Sequence, residues 1–205
     1  MNKIIKSDEN YSFSKFFELK ISAKDLAKEF GYSFERTWLN LPQYSKELDR
    51  CQETLKRIEE ILPYVDLSTE QARREWLISP MLMDLIHYTK VEIQVEYSIR
   101  VNQQLQGIFD YFLESSKQVV IVEAKKSDLD FGMTQLISEL IALDSWLEKD
   151  SQLEIIGAVT TGKIWEFACL SRQDKYIQQG LESYGIPGNF EELMRILIYS
   201  LILEK

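Results

Sequence analysis

Between residues 91 and 101 apolar and polar side chains alternate without a break. Val91, Ile93, Val95, Tyr97, Ile99 and Val101 are interleaved with Glu92, Gln94, Glu96, Ser98 and Arg100. Strand side chains point to opposite faces in turn, so this period of two predicts a strand with one covered face. Two more apolar runs follow at 105–113 and 118–125. The polar segment Glu114-Ser115-Ser116-Lys117 between them predicts a hairpin. A turn centred on Ser116 and Lys117 sets Asp110 directly across from Glu123. In the second run Val119, Ile121, Glu123 and Lys125 share a face. Two acids and a lysine then converge on one patch of sheet, an arrangement for holding a divalent cation beside a phosphate. Asp110 and Glu123 are hard oxygen ligands suited to Mg²⁺ or Mn²⁺. The ordinary alternative is a set of cross-strand ion pairs with Lys117 and Lys125. Against it, the second run reads as a buried central strand, where acids are costly without a ligand.

The remaining pattern surrounds these strands with helices. Residues 22–30 have helix character, with Ser22 and Asp25 spaced as a capping pair and Gly31 as a stop. Residues 46–62 carry Leu48, Cys51, Leu55, Ile58 and Leu62 on one stripe, ended by Pro63. A helix over about 68–87 opens on a capping box of Ser68 and Gln71, and Pro80 kinks or breaks it. A helix over about 131–148 follows the hairpin, then strands at 153–160 and 164–170, then helices at 173–183 and 189–204. The order helix, three strands, helix, strand gives an α/β fold with a mixed central sheet flanked by helices. Residues 1–65 read as a helical N-terminal extension and 66–205 as the domain proper.

The formal net charge is −9, and residues 1–65 are balanced at 11 basic and 11 acidic side chains, so the whole excess lies in 66–205. A bulk nucleic-acid binder usually presents a basic face. Phosphate contacts here must therefore come from local groups such as Arg73, Arg74, Lys125 and Lys126, with bound cations. The apolar run 196–203 is too short to span a bilayer. No signal peptide is visible, and two cysteines without metal-ligand spacing suit a cytoplasmic protein with no membrane partner. A single histidine, His87, makes His-dependent triads and zinc sites improbable. The segment 24–33 resembles the turn of a helix-turn-helix, but only Arg36 is basic before Pro42, so packing against the core is preferred. The 46–62 helix suits docking on its own domain ahead of a dimer seam.

The string Asp110–x12–Glu123–x–Lys125 resembles the PD-(D/E)xK, or restriction endonuclease-like, nuclease superfamily, whose core has the same order of elements. Phe109 stands where the family pattern has proline. Glu70, Arg74, Ile78, Pro80 and Leu82 resemble the core helix of the N-terminal nuclease domain of type I restriction subunits, and the chain is also similar to small cyanobacterial proteins. The resemblance covers roughly 68–170. It implies a metal-dependent nuclease acting on nucleic acid, DNA foremost, alone, as a homodimer or with a partner subunit. It further implies that the Ala124 carbonyl completes the metal site beside Asp110 and Glu123, and that Lys125 orients water or stabilises transition-state charge. Gln135 would point at the site from the following helix, and Glu70 would add a third acid, with Glu75 its rival. The competing reading is an interaction module on the same fold with little or no catalysis.

Overall fold

Ser22 caps a helix as its spacing to Asp25 predicts: its Oγ accepts from the Asp25 N–H at 3.1 Å and donates to the Asp25 carboxylate at 2.7 Å. The computed structural model describes residues 5–6, 9–115, 119–125, 128–148 and 154–202. Helices α1 (Phe13–Glu18) and α2 (Ala23–Glu29) come first, and Gly31, at φ +83°, turns the chain into strand β1 (Ser33–Thr37). A strand therefore stands where a helix-turn-helix would need its second helix. Helix α3 (Cys51–Ile61) starts five residues later than its apolar stripe suggests, with no side-chain cap at Arg50, and runs into a 3₁₀ turn at Pro63.

Thr69, rather than Ser68, caps the next helix, accepting from the Ala72 N–H at 3.1 Å. α4 (Glu70–Arg73) passes through a π-helical turn, Arg74–Ile78, into α5 (Ser79–Thr89). Pro80 neither ends nor breaks the helix. It lacks the N–H that would return to the preceding turn, and the wider π turn absorbs the defect. The three predicted strands follow as β2 (Glu92–Arg100), β3 (Gln106–Glu114) and β4 (Val119–Ala124). Then come α6 (Leu129–Trp146), β5 (Glu154–Thr160), β6 (Ile164–Ser171), β7 (Tyr176–Gly180), β8 (Tyr184–Gly185) and α7 (Phe190–Leu201). The helix expected over 173–183 is instead β7 with the turns on either side of it. Lys175, at φ +50°, turns the chain back, and Tyr176–Gly180 then gains ladder partners on both sides, β6 and β1. These non-local pairs outweigh the weak helix character of a segment whose burial alternates with period two.

β2, β3 and β4 form an antiparallel meander, and β5 joins β4 in parallel through the α6 crossover. The eight-stranded mixed sheet runs β1-β7-β6-β5-β4-β3-β2, with β8 on β6. α1, α2 and α6 cover one face, where Phe13, Phe16 and Leu26 share an apolar cluster with Phe109, Phe112 and Leu136. α3, α5 and α7 cover the other, where Ile58, Met81 and Leu193 pack with Val120, Val122 and Phe167. The segment read as a helical extension thus also holds a strand, and its Tyr11, Phe13, Phe16 and Tyr32 sit in the same core as the central sheet. Among the described residues no helix is long and apolar enough to cross a membrane.

The crossover packs closely. A Cβ placed on Gly157, in β5, would lie 2.7 Å from Leu136 Cδ1 and 3.1 Å from its Cγ, and Leu136 is fully buried. Gly157→Val is expected to cost about 1–3 kcal/mol by overpacking, read as a lower urea midpoint, and Leu136→Ala in the same chain should recover part of it. An unchanged midpoint in Gly157→Val would show that α6 sits further from the sheet.

Candidate metal and phosphodiester site

The hairpin register pairs Tyr111 with Val122 and Leu113 with Val120, so the next step along the ladder sets Asp110 across from Glu123. The expected turn residues 116 and 117 lie outside the described residues. Asp110 also marks an irregularity. The β2–β3 ladder skips it and Glu96, which has φ +56°, while pairing Val95 with Tyr111 and Tyr97 with Phe109. Strand alternation fails at this point: Phe109 and Phe112 belong to one core cluster, Tyr111 and Leu113 to the other. Such breaks re-aim a side chain. Here the Asp110 carboxylate reaches along the hairpin, and its Oδ2 accepts the Ala124 N–H at 2.8 Å.

Glu123 is 1% exposed. Its Oε1 pairs with the Lys125 ammonium and accepts from Gln135 Nε2 at 2.6 Å, while among the described residues no lysine, arginine, amide or backbone N–H reaches its Oε2. Gln135, on the first turns of α6, also donates to Glu139 Oε1 at 3.0 Å. Glu139 is fully buried, and no such donor reaches its own Oε2. Lys125 lies against the ring of Phe17, 5.2 Å from its centroid. The fold thus brings together Asp110, Glu123, Ala124, Lys125 and Gln135, and adds Glu139.

Arg74, at the start of the π turn between α4 and α5, is the residue that this helix sends toward the site. Its Nη1 lies 3.6 Å from Asp110 Oδ1 and 3.5 Å from Glu96 Oε1, and its Nε donates to the Tyr111 hydroxyl at 3.1 Å. Glu70, one turn earlier, is half-buried, and its carboxylate enters no hydrogen bond or ion pair among the described residues. Glu75 is exposed and accepts from Gln71 at 2.9 Å. Neither acid joins the cluster. His87 faces Asp49 at 3.2 Å, a helix-end pair remote from any catalytic role.

Burial and the nearby charge of Asp110 push Glu123 up to about 7 against the pull of Lys125. Burial and Glu123 itself raise Glu139 well above the ordinary carboxylate range. Burial disfavours the Lys125 cation, but the charge and hydrogen bond of Glu123 outweigh it and raise its pKa. The same balance, with Tyr111, Asp110 and Glu96 outweighing burial, raises Arg74. Among the described residues Lys125 is the one cation beside the two buried carboxyls of Glu123 and Glu139, so burial favours a proton held on that pair.

A consequence for stability follows. A carboxyl whose pKa is raised on folding favours the folded state fully below its unfolded value near 4.5, and that advantage is lost as pH rises through the folded value. Glu123 and Glu139 act in the same direction, whereas Asp144, held low despite burial by Lys175, Tyr32 and Arg172, acts only below about 4. Metal-free protein should therefore lose stability between about pH 5 and 8 in urea titrations with EDTA, and Glu139→Gln should flatten that slope. A rising slope across this window would contradict the buried acid pair.

The donor set fits a hard divalent cation. Oxygens of Asp110 and Glu123 lie on neighbouring strands, and among the described residues no lysine, arginine, amide or backbone N–H reaches Glu123 Oε2. Among the described residues no three His, Cys, Asp or Glu side chains form a ready cage. Mg²⁺ commonly binds through one or two carboxylates, leaving its other positions to water and phosphate. Glu139 escaped the sequence reading although it carried a signal: an acid four residues after Gln135, inside the stretch Leu136–Leu143, which is otherwise apolar but for Ser138. No family model matches the chain, and no curated protein matches it either.

Proposed function

We propose that the protein is a Mg²⁺- or Mn²⁺-dependent nuclease of restriction endonuclease-like architecture, hydrolysing phosphodiester bonds in nucleic acid, DNA foremost. The observation that carries this reading is the opposed pair Asp110 and Glu123, with Lys125 on the face of Glu123 and a second buried acid, Glu139, beside it. The sequence of elements from α4–α5 through β2, β3, β4 and α6 to β5 supports the architecture.

Asp110 and Glu123 would hold the cation, with the Ala124 carbonyl beside them. When bound, such an ion polarises the phosphate and lowers the pKa of an attacking water. Lys125, released from Glu123 when that carboxylate takes up the ion, would stabilise charge on the phosphoryl oxygens. Gln135 donates to both Glu123 and Glu139, holding the two carboxyls side by side, where they share a hydrogen bond. Arg74 fixes Asp110 and offers a second cation to a phosphate.

A second reading is favoured by one specific fact: each acid already has a cation, Lys125 on Glu123 and Arg74 on Asp110. On that reading the cluster is structural and the chain binds a nucleic acid or protein without cleaving it. Cleavage assays on duplex DNA, single-stranded DNA and RNA with Mg²⁺, Mn²⁺ or EDTA separate the two. Divalent-dependent cleavage of any substrate supports the nuclease. Binding in gel shifts with no cleavage under either metal leaves the interaction module.

A further inference from the structure

The other face of the sheet carries an anomaly unrelated to phosphodiester chemistry. Asp84, in the middle of α5, is 5% exposed, and its Oδ2 is buried without a hydrogen-bond partner. Neither of its oxygens enters a hydrogen bond or ion pair among the described residues. A desolvated carboxylate with no donor is costly, and native structures rarely keep one without a use. Asp84 lines a cleft of about 640 Å³ between α3, the π turn and α5. Its walls include Ile58 and Pro80, and Trp76 and Met83, 44% and 68% exposed, border it. That volume lies in the range of small-molecule sites. Of the two arginines in the lining, Arg57 is occupied by Glu53 at 3.6 Å and Thr54 at 3.5 Å. Arg50 makes no ion pair with Asp84.

We propose that this cleft binds a small organic cation, an ammonium or guanidinium on a short apolar stem. The head donates to Asp84 Oδ1, the carboxylate oxygen that is not sealed off, and so neutralises the charge of the whole group. The stem lies on Ile58 and Met83, and the face of Trp76 adds cation–π attraction. An anion is disfavoured, because the lining carries three acids, Glu53, Glu75 and Asp84, against two arginines, Arg50 and Arg57.

The test uses the intact protein and four probes with one stem: butylguanidinium, butylammonium, butanol and butyrate. Calorimetric titration should give saturable binding of the two cations, with a matching rise in Tm, and none for butyrate. Asp84→Asn keeps the shape and removes the charge, so it should fold with a Tm at or above the parent's while weakening butylguanidinium at least tenfold. Trp76→Ala should weaken it too. A blocked arginine, N-acetylarginine methylamide, serves as a further arm: tighter binding than butylguanidinium assigns the cation to a peptide side chain, weaker binding to a free molecule. The proposal is overturned if butyrate or butanol binds as well as the cations, a comparison that needs no variant. It is also overturned if Asp84→Asn binds within twofold of the parent. A fall in stability of Arg50→Gln to match loss of a buried ion pair would likewise overturn it, by making Arg50 the partner of Asp84.

Discussion

Lys125→Ala is expected to slow single-turnover cleavage by about 10²–10³ while leaving gel-shift affinity for the same substrate within a few-fold. A charge aimed at developing negative charge acts mainly in the transition state, and losing one such group costs about that much. The lysine has a second duty, however. It is the counter-ion of a carboxylate whose side chain is 2% exposed, and its own side chain is 14% exposed. Removing one partner of a buried pair typically costs about 3–5 kcal/mol. Here Glu123 can escape by keeping a proton, since its pKa already stands at about 7. The variant should therefore be destabilised more at pH 8 than at pH 6, and a divalent cation should restore much of the loss. Circular dichroism at the assay pH secures the fold before rates are compared. Cleavage at the parent rate would reduce Lys125 to a counter-ion.

Glu123→Gln and Asp110→Asn should each abolish stabilisation by Mn²⁺. A ligand that binds only the folded state stabilises it by about 2.7 kcal/mol at a free concentration 100-fold above Kd. For a chain of this size that is a shift of roughly 5–10 °C in Tm. Both amides keep volume and hydrogen bonding. The amide oxygen placed at position 110 would still accept the Ala124 N–H, and the amide placed at position 123 would still meet Gln135. Loss of the metal effect would then report the missing charge rather than a collapsed site. Both variants should also lose cleavage. If both are stabilised by Mn²⁺ as the parent is, the cation binds elsewhere.

What the sequence made legible was local. The alternation at 91–101 and the four-residue polar turn predicted the meander and its register, because a period-two pattern tolerates no slip without exposing its apolar face. Asp110, Glu123 and Lys125 followed from that register. The failures were non-local. β7 pairs with β1 across more than a hundred residues, and nothing in 173–183 or 33–37 alone announces a ladder. The π turn at Arg74–Ile78 was equally hidden, since Pro80 signals a defect but not how the helix absorbs it. That turn coincides with Arg74, rather than Glu70, reaching Asp110. The break at Glu96, which lets Asp110 lie beside Ala124, depends on a positive φ at a non-glycine residue, which composition does not reveal.

The proposed chemistry turns on a cation held between β3 and β4. Anomalous scattering from crystals grown with Mn²⁺ tests it most directly. The prediction is one strong peak bonded to carboxylate oxygens of both Asp110 and Glu123, at roughly 2.0–2.2 Å as for a small hard cation, with Lys125 Nζ moved off Glu123 Oε1. A peak elsewhere, or none at Mn²⁺ concentrations that raise Tm, with Lys125 still paired to Glu123, would contradict it.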